Sequence, residues 1–156
     1  MRKKSAKKKI LLPDPRFGNT TVTRFVNNLM FDGKKTTAFK VFYTAIDNIS
    51  SKIQDEEGLV VFEKALENVM PHVEVRSKRI GGATFQIPHP IRDDRRVSLG
   101  MKWMIAAARK RNEKTMDAKL SAELMAAYKE EGSAYKKKQD THRMAEANKA
   151  FSHFKF

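Results

Sequence analysis

The 156-residue chain contains no cysteine, which excludes disulfides, thiolate metal sites and cysteine nucleophiles together and suits a reducing cytosol. No apolar run approaches the ~18 residues that a membrane-spanning helix needs. The basic N-terminus is not followed by the apolar stretch of about 7–15 residues that marks a secretory signal. Histidine is scarce, and His72, His89, His142 and His153 stand far apart, without the spacing of a local metal motif. Gly81-Gly82 lacks the Lys-Ser/Thr that completes a phosphate loop. Asp140-Thr141-His142 holds the residue types of a hydrolytic triad, but neighbours on a helix point in different directions. The acid pairs Glu56-Glu57 and Asp93-Asp94 are explained by helix starts, where negative charge complements the dipole. Catalysis, a cofactor and a small-molecule substrate therefore find no support, and no membrane is implied.

What the chain has in excess is positive charge: 32 Lys+Arg against 18 Asp+Glu, a net charge of +14. Such an excess repels itself in a compact state unless a polyanion neutralises it, and nucleic acid is the default partner. The charge is uneven. Residues 1–35 and 73–156 are strongly basic, whereas 36–72 carry 3 basic and 6 acidic groups. That middle stretch is expected to pack inside or face away from the anion.

Residues 1–9 (MRKKSAKKK) form a basic arm carrying Arg2, Lys3, Lys4, Lys7, Lys8 and Lys9, with almost nothing to bury. The remainder, 10–156, reads as a single domain. Residues 10–19, with Pro13, Pro15 and Gly18, form an extended entry loop. Helical periodicity begins at Thr20 with Val22, Phe25, Val26 and Leu29, and Gly33 ends the segment. A longer helix over about 35–53 places Phe42, Ile46, Ile49 and Ile53 inward. Leu59, Phe62, Leu66 and Val69 define a third, closed by Pro71. Asp93 or Asp94 caps a fourth running to about Arg111, with Val97, Met101, Met104 and Ala108 inward. Asp117 caps a fifth with Leu120, Leu124 and Tyr128, ended by Gly132. A sixth spans about 135–153 with Met144, Ala147, Phe151 and Phe154 as its stripe.

Between the third and fourth helices the pattern changes. VEVRSKRI at 73–80 and ATFQI at 83–87 are rich in β-branched residues and flank Gly81-Gly82, a type I′ turn signal because both positions need positive φ. Pairing Ile80 with Ala83 sets Lys78 opposite Phe85 and Arg76 opposite Ile87. Neither face is cleanly apolar, which suggests a hairpin that leaves the body and is held by a partner. Pro88 and Pro90 end it. The expected fold is all-α: a bundle of six helices with one protruding β-hairpin at about 73–88 and the basic arm.

Cations beside an aromatic in the ribbon (Arg76, Lys78, Arg79, Phe85) offer phosphate pairing and base stacking together. On the fourth helix Arg95, Lys102 and Arg109 recur every seven residues and stack as one cationic ridge. Composition and periodicity stop at a basic helical nucleic-acid binder, leaving DNA and RNA undecided and a nuclease or RNA-modifying enzyme without the clustered carboxylates it would need.

Three passages carry more: LPDPRFGNTTVTRFVNNLMFDGKK at 12–35, ALENVMPHVEVRSKRIGGATFQIP at 65–88 and DTHRMAEANKAF at 140–151, joined by AARKRNEKTM at 107–116. They closely resemble the family of the seventh protein of the bacterial small ribosomal subunit, from about residue 10 to the C-terminus. The resemblance implies a structural, cytoplasmic protein of the ribosome that binds the 3′ major domain of 16S rRNA and nucleates assembly of the subunit head. It also implies a place near the exit-site tRNA and mRNA path, beside the ninth and eleventh small-subunit proteins. By position it turns the arm, Arg16, Lys34-Lys35, Arg76, Lys78, Arg79 and the segment Arg109, Lys110, Arg111 and Lys114 towards rRNA, alongside the ridge. Phe85 at the hairpin tip and His142, Arg143 and Lys149 near the C-terminus fall on the tRNA and neighbour-protein side. PHPIRD at 88–93 departs from the family's more usual Pro-Val-Glu-Val-Arg-Pro, and FSHFKF replaces a Tyr- and Trp-containing tail.

Overall fold

The computed structural model describes residues 10–154, so the arm cations Arg2 to Lys9 lie outside the described residues. Six α-helices and one two-stranded antiparallel ribbon are present among them: α1 Thr20–Leu29, α2 Lys35–Lys52, α3 Gly58–Val69, β1 Val73–Ile80, β2 Ala83–Pro90, α4 Asp93–Arg109, α5 Met116–Tyr128 and α6 Gly132–Ala147, followed by a 3-10 turn over Lys149–Phe154. No described helix is long and apolar enough to cross a membrane.

The expected stripes form the core. Val22, Phe25 and Val26 of α1 meet Phe42, Ala45 and Ile49 of α2 and Val61, Phe62 and Val69 of α3. At its centre the rings of Phe25, Phe42 and Phe62 pack at 5.1–5.6 Å between centroids, two of the three pairs edge-to-face, the geometry ring quadrupoles favour. The acidic stretch 36–72 thus supplies two of the central helices. Helix α4 crosses α3 closely at Gly100, where a Cβ would stand 2.9 Å from Met70 Cγ. Met101, Met104 and Ala108 are buried and Val97 is half-buried, which turns Arg95, Lys102 and Arg109 outward.

The helix starts differ from expectation. Neither Asp93 nor Asp117 caps its helix: the N-caps of α4 and α5 are Arg92 and Thr115, without side-chain cap hydrogen bonds. Both aspartates lie in the first turn, where they still complement the dipole. A capping side chain acts at α1, where Asn19 accepts from the Thr21 amide at 2.8 Å. Gly132 opens α6 rather than closing α5. It holds φ +87, and a Cβ there would meet Glu123 Oε1 at 3.1 Å.

The last helix also ends earlier than its stripe suggests. Helix α6 stops at Ala147, the Asn148 side chain donates to the Met144 carbonyl at 2.8 Å, and the Phe151 amide donates to the Asn148 carbonyl at 3.0 Å, tightening the chain into the 3-10 turn. The inner face of α6 uses small Ala134 and Ala145, while Met144 is 50% exposed. The Phe154 side chain falls outside the described residues.

The ribbon has the expected register, with Ile80 opposite Ala83, Lys78 opposite Phe85 and Arg76 opposite Ile87. Gly81 and Gly82 hold φ +55 and +88. Pairing continues past residue 87, to Val73 opposite Pro90, so Pro88 and Pro90 lie within β2. A two-stranded ribbon has open edges that need no proline amide. Its root is packed, with Ile87 fully buried, while Arg79 to Thr84 form an open tip apart from half-buried Ile80. On β2, Phe85 meets Phe151 of the 3-10 turn, ring centroids 5.1 Å apart. Replacing residues 78–85 with a short Gly-Ser link is therefore expected to keep the helical circular dichroism and to cost about 1 kcal/mol, largely the ring pair. The corresponding melting shift is about 2–4 °C; a drop several times larger would place the tip in the core.

Candidate nucleic-acid interface

Two cations that are 19 residues apart in sequence, Arg76 and Arg95, converge on one carboxylate. Glu74 of β1 accepts from Arg76 Nε and Nη2 at 2.8 and 2.6 Å and from Arg95 Nε at 2.8 Å. Its side chain is 12% exposed while both arginines stay about half exposed. The clasp ties the ribbon root to α4 and leaves each guanidinium an open side. Burial alone would raise the Glu74 carboxyl, but the hydrogen bonds from Arg95 and Arg76 outweigh it and hold it below the ordinary value of 4.5. A lowered folded value contributes stability that is complete above the unfolded value and is lost as pH falls through the folded one. Unfolding curves measured from pH 6 down to pH 3 should therefore fall more steeply for the parent than for Glu74→Gln. Parallel curves would show that the clasp is not acid-sensitive.

At the other end of α4, Arg109 donates to the Leu29 carbonyl at 3.3 Å and lies 5.2 Å from the ring centre of Phe31. The turn from α1 to α2 is held by positive φ at Asp32 and Gly33. It presents Lys34, 70% exposed and only loosely paired with Asp32 at 3.9 Å. Phe31 is 67% exposed, and with Leu29, Lys34, Arg109 and Met116 it lines a hollow of about 230 Å³. Lys110 and Lys114 are exposed nearby in sequence. A second hollow, of about 290 Å³, lies between α4 and α6, where Lys102, Lys110 and Lys137 surround Trp103, and Lys137 Nζ stands 5.8 Å from the indole centre. Phe31 is thus flanked by Lys34 and Arg109, and Trp103 by Lys102, Lys110 and Lys137, each a pairing of cations with an accessible ring that phosphates and unpaired bases recognise.

Several expected cations are already engaged. Arg16 forms a bidentate pair with Asp47 at 2.6 and 3.1 Å. Arg111 reaches Glu123, which is fully buried, at 2.7 Å and Glu113 at 3.1 Å, so it belongs to the scaffold of the α4–α5 loop. Lys149 pairs with Glu146 at 3.5 Å. Arg79 is exposed and Lys78 half-buried in the ribbon. Phe85 spends a ring face on Phe151 and is less available for base stacking than its sequence setting suggests. The Asp140-Thr141-His142 group does not assemble: the Thr141 hydroxyl donates to the Lys137 carbonyl at 2.9 Å, and Asp140 lies 3.9 Å from exposed Arg143. His142 instead accepts the His72 amide at Nε2, 3.1 Å away, pinning α6 to the root of β1. Burial lowers its pKa below 6.5, helped by Lys138 and His72, which keeps that nitrogen free to accept. No cluster that could hold a metal occurs among the described residues.

Sequence reasoning missed Phe31, Trp103 and the Glu74 clasp. Phe31 carried a usable signal, an aromatic next to an Asp-Gly turn and outside the α1 stripe.

A family model described as "Ribosomal protein S7p/S5e" matches residues 1–149. The chain belongs to this family. The curated relatives include the "Small ribosomal subunit protein uS7" of Flavobacterium psychrophilum, 65% identical, and that of Flavobacterium johnsoniae, 66% identical, each over 158 aligned positions covering all of both chains. The protein of that name from Cytophaga hutchinsonii is 59% identical over 156 positions, again end to end. As a family member the chain is a structural, non-enzymatic constituent of the small ribosomal subunit, in the cytoplasm, where it meets rRNA and serves translation.

Proposed function

We propose that this chain is a primary rRNA binder that docks on the 3′ major domain of 16S rRNA and nucleates assembly of the subunit head, its hairpin and C-terminal side lying near the exit-site tRNA, the mRNA path and the ninth and eleventh small-subunit proteins. The rRNA face is the side where Lys34 and Arg109 flank Phe31, with Lys35, Lys110 and Lys114 adjacent to them in sequence, extended along α4 by Lys102 and Arg95 to the ribbon root. The observation that carries this reading is the meeting of the α1–α2 turn with the α4 C-terminus through Arg109, Leu29 and Phe31, because it unites basic segments that are more than 70 residues apart in sequence. Arg143 and the exposed ribbon tip serve the other partners, while Arg111 and His142 hold the scaffold and act on RNA indirectly. The test is the salt dependence of binding to a 3′ major domain fragment. The triple variant Lys34→Ala, Lys110→Ala, Lys114→Ala should show a shallower dependence than the parent, and an unchanged one would move the interface elsewhere.

A further inference from the structure

A different face of α2 carries a second aromatic site, built from residues with no part in the surface just described except Lys35. The buried Asp14 carboxylate organises it. It accepts the amides of Arg16, Phe17 and Asn19 at 3.1, 2.9 and 2.9 Å and the Tyr43 hydroxyl at 3.1 Å. Four donors outweigh the burial of this carboxyl and lower its pKa below 3.8, so at neutral pH it is a fixed anion that locks residues 14–19 against α2. Arg16 is thereby laid 5.1 and 5.5 Å from the ring centres of Phe17 and Tyr43 and held there by Asp47. One turn towards the helix N-terminus, Phe39 packs against Tyr43 at 5.6 Å with ring planes only 30° apart, and Lys35 Nζ lies 5.7 Å from the Phe39 ring centre.

These rings are not core. Phe25, Phe42 and Phe62 are completely buried, whereas Phe39 and Tyr43 keep part of their surface open onto a hollow of about 540 Å³ whose rim includes Arg16 and Lys40. The local charge favours an anionic occupant. Arg16 neutralises Asp47, while exposed Lys40 lines the hollow and exposed Lys35 stands over the Phe39 ring. An aromatic floor with a planar guanidinium on one side and lysines at the rim suits a flat ring joined to phosphates. Because Asp14 and Asp47 fix the arginine and the tyrosine beforehand, little ordering is needed on binding.

We propose that the groove formed by Phe39, Tyr43 and Arg16 stacks an unpaired nucleobase of single-stranded RNA whose flanking phosphates lie on Lys35 and Lys40. The inference rests on the rRNA-binding reading and extends it to a second face.

The test uses full-length Phe39→Leu and Lys40→Ala variants with the same 3′ major domain fragment, at several salt concentrations. Phe39→Leu keeps the apolar bulk against α2 but removes the ring. It should melt near the parent and bind about tenfold more weakly, within the range that loss of one base–aromatic stack produces, with the salt slope unchanged. Lys40→Ala should reduce the slope by about 0.7. Photocrosslinking of the parent with iodouridine-substituted RNA should label a peptide within 35–47. Parent-like affinity in Phe39→Leu overturns the proposal, and so does the absence of a label there. So does a Phe39→Leu variant that binds RNA normally but fails to recruit a neighbouring protein, which makes the groove a protein site. If Lys34→Ala, Lys110→Ala, Lys114→Ala weakens binding while Phe39→Leu does not, the rRNA face stands and only the second site falls; if neither does, both fall.

Discussion

Glu123→Ala is expected to lower the melting temperature by about 6–12 °C. The Glu123 carboxylate is fully exposed to the protein interior and not at all to water, where it accepts Arg111 Nη1 at 2.7 Å, the Ala134 amide at 2.9 Å and the Ser133 hydroxyl at 3.4 Å. It therefore joins the α4–α5 loop, α5 and the start of α6 through one group. Removing one partner of a buried pair costs about 3–5 kcal/mol. Arg111 keeps Glu113 and is 31% exposed, which points to about 3 kcal/mol, and a chain of this length loses about 2–4 °C per kcal/mol. Glu123→Gln retains an acceptor for the Ala134 amide and should lose less. Both variants should also weaken rRNA binding, since Arg111 anchors the loop that presents Lys110 and Lys114. A melting temperature of Glu123→Ala within 2 °C of the parent would mean that the loop is held by other contacts.

The Lys34→Ala, Lys110→Ala, Lys114→Ala variant should bind the 3′ major domain on the order of a hundredfold more weakly at about 0.15 M salt. Its log affinity against log salt should be shallower by about 2–3, if each lysine meets one phosphate and each contact releases ~0.7–0.9 counterions. All three side chains are solvated, so stability should change by no more than about 0.5 kcal/mol. A control with Lys52→Ala and Lys64→Ala removes two cations from the acidic stretch and should leave the slope as it was. An equal effect of the two sets would mean that the chain responds to total charge and not to a defined face.

The fold was largely legible because its signals are local. The ribbon register follows from period-two β-branching around two glycines, and the core helices from apolar spacing at three and four. The misreadings have physical causes. Helix α6 faces the body with alanines, so the larger Met144 and Phe151 suggested a stripe that the 3-10 turn breaks. The aspartates at the starts of α4 and α5 act on the dipole without capping, a distinction of one residue that pattern cannot make. For the candidate interface, sequence named basic segments but treated their cations as equivalent. The pairs Arg16–Asp47, Arg111–Glu123 and Arg95–Glu74 span 31, 12 and 21 residues, and no local pattern reveals which lysines and arginines such pairs leave for RNA. The family strings supplied what periodicity could not, the choice of RNA over DNA.

Amine-reactive footprinting of the lysines, free and bound to the 3′ major domain fragment, tests the proposed rRNA face most directly. Lys34, Lys110 and Lys114 are expected to become several-fold less reactive in the complex, while Lys52 and Lys64 react as they do in the free protein. Protection of Lys52 and Lys64 with Lys34, Lys110 and Lys114 unchanged would contradict the assignment of this face to rRNA.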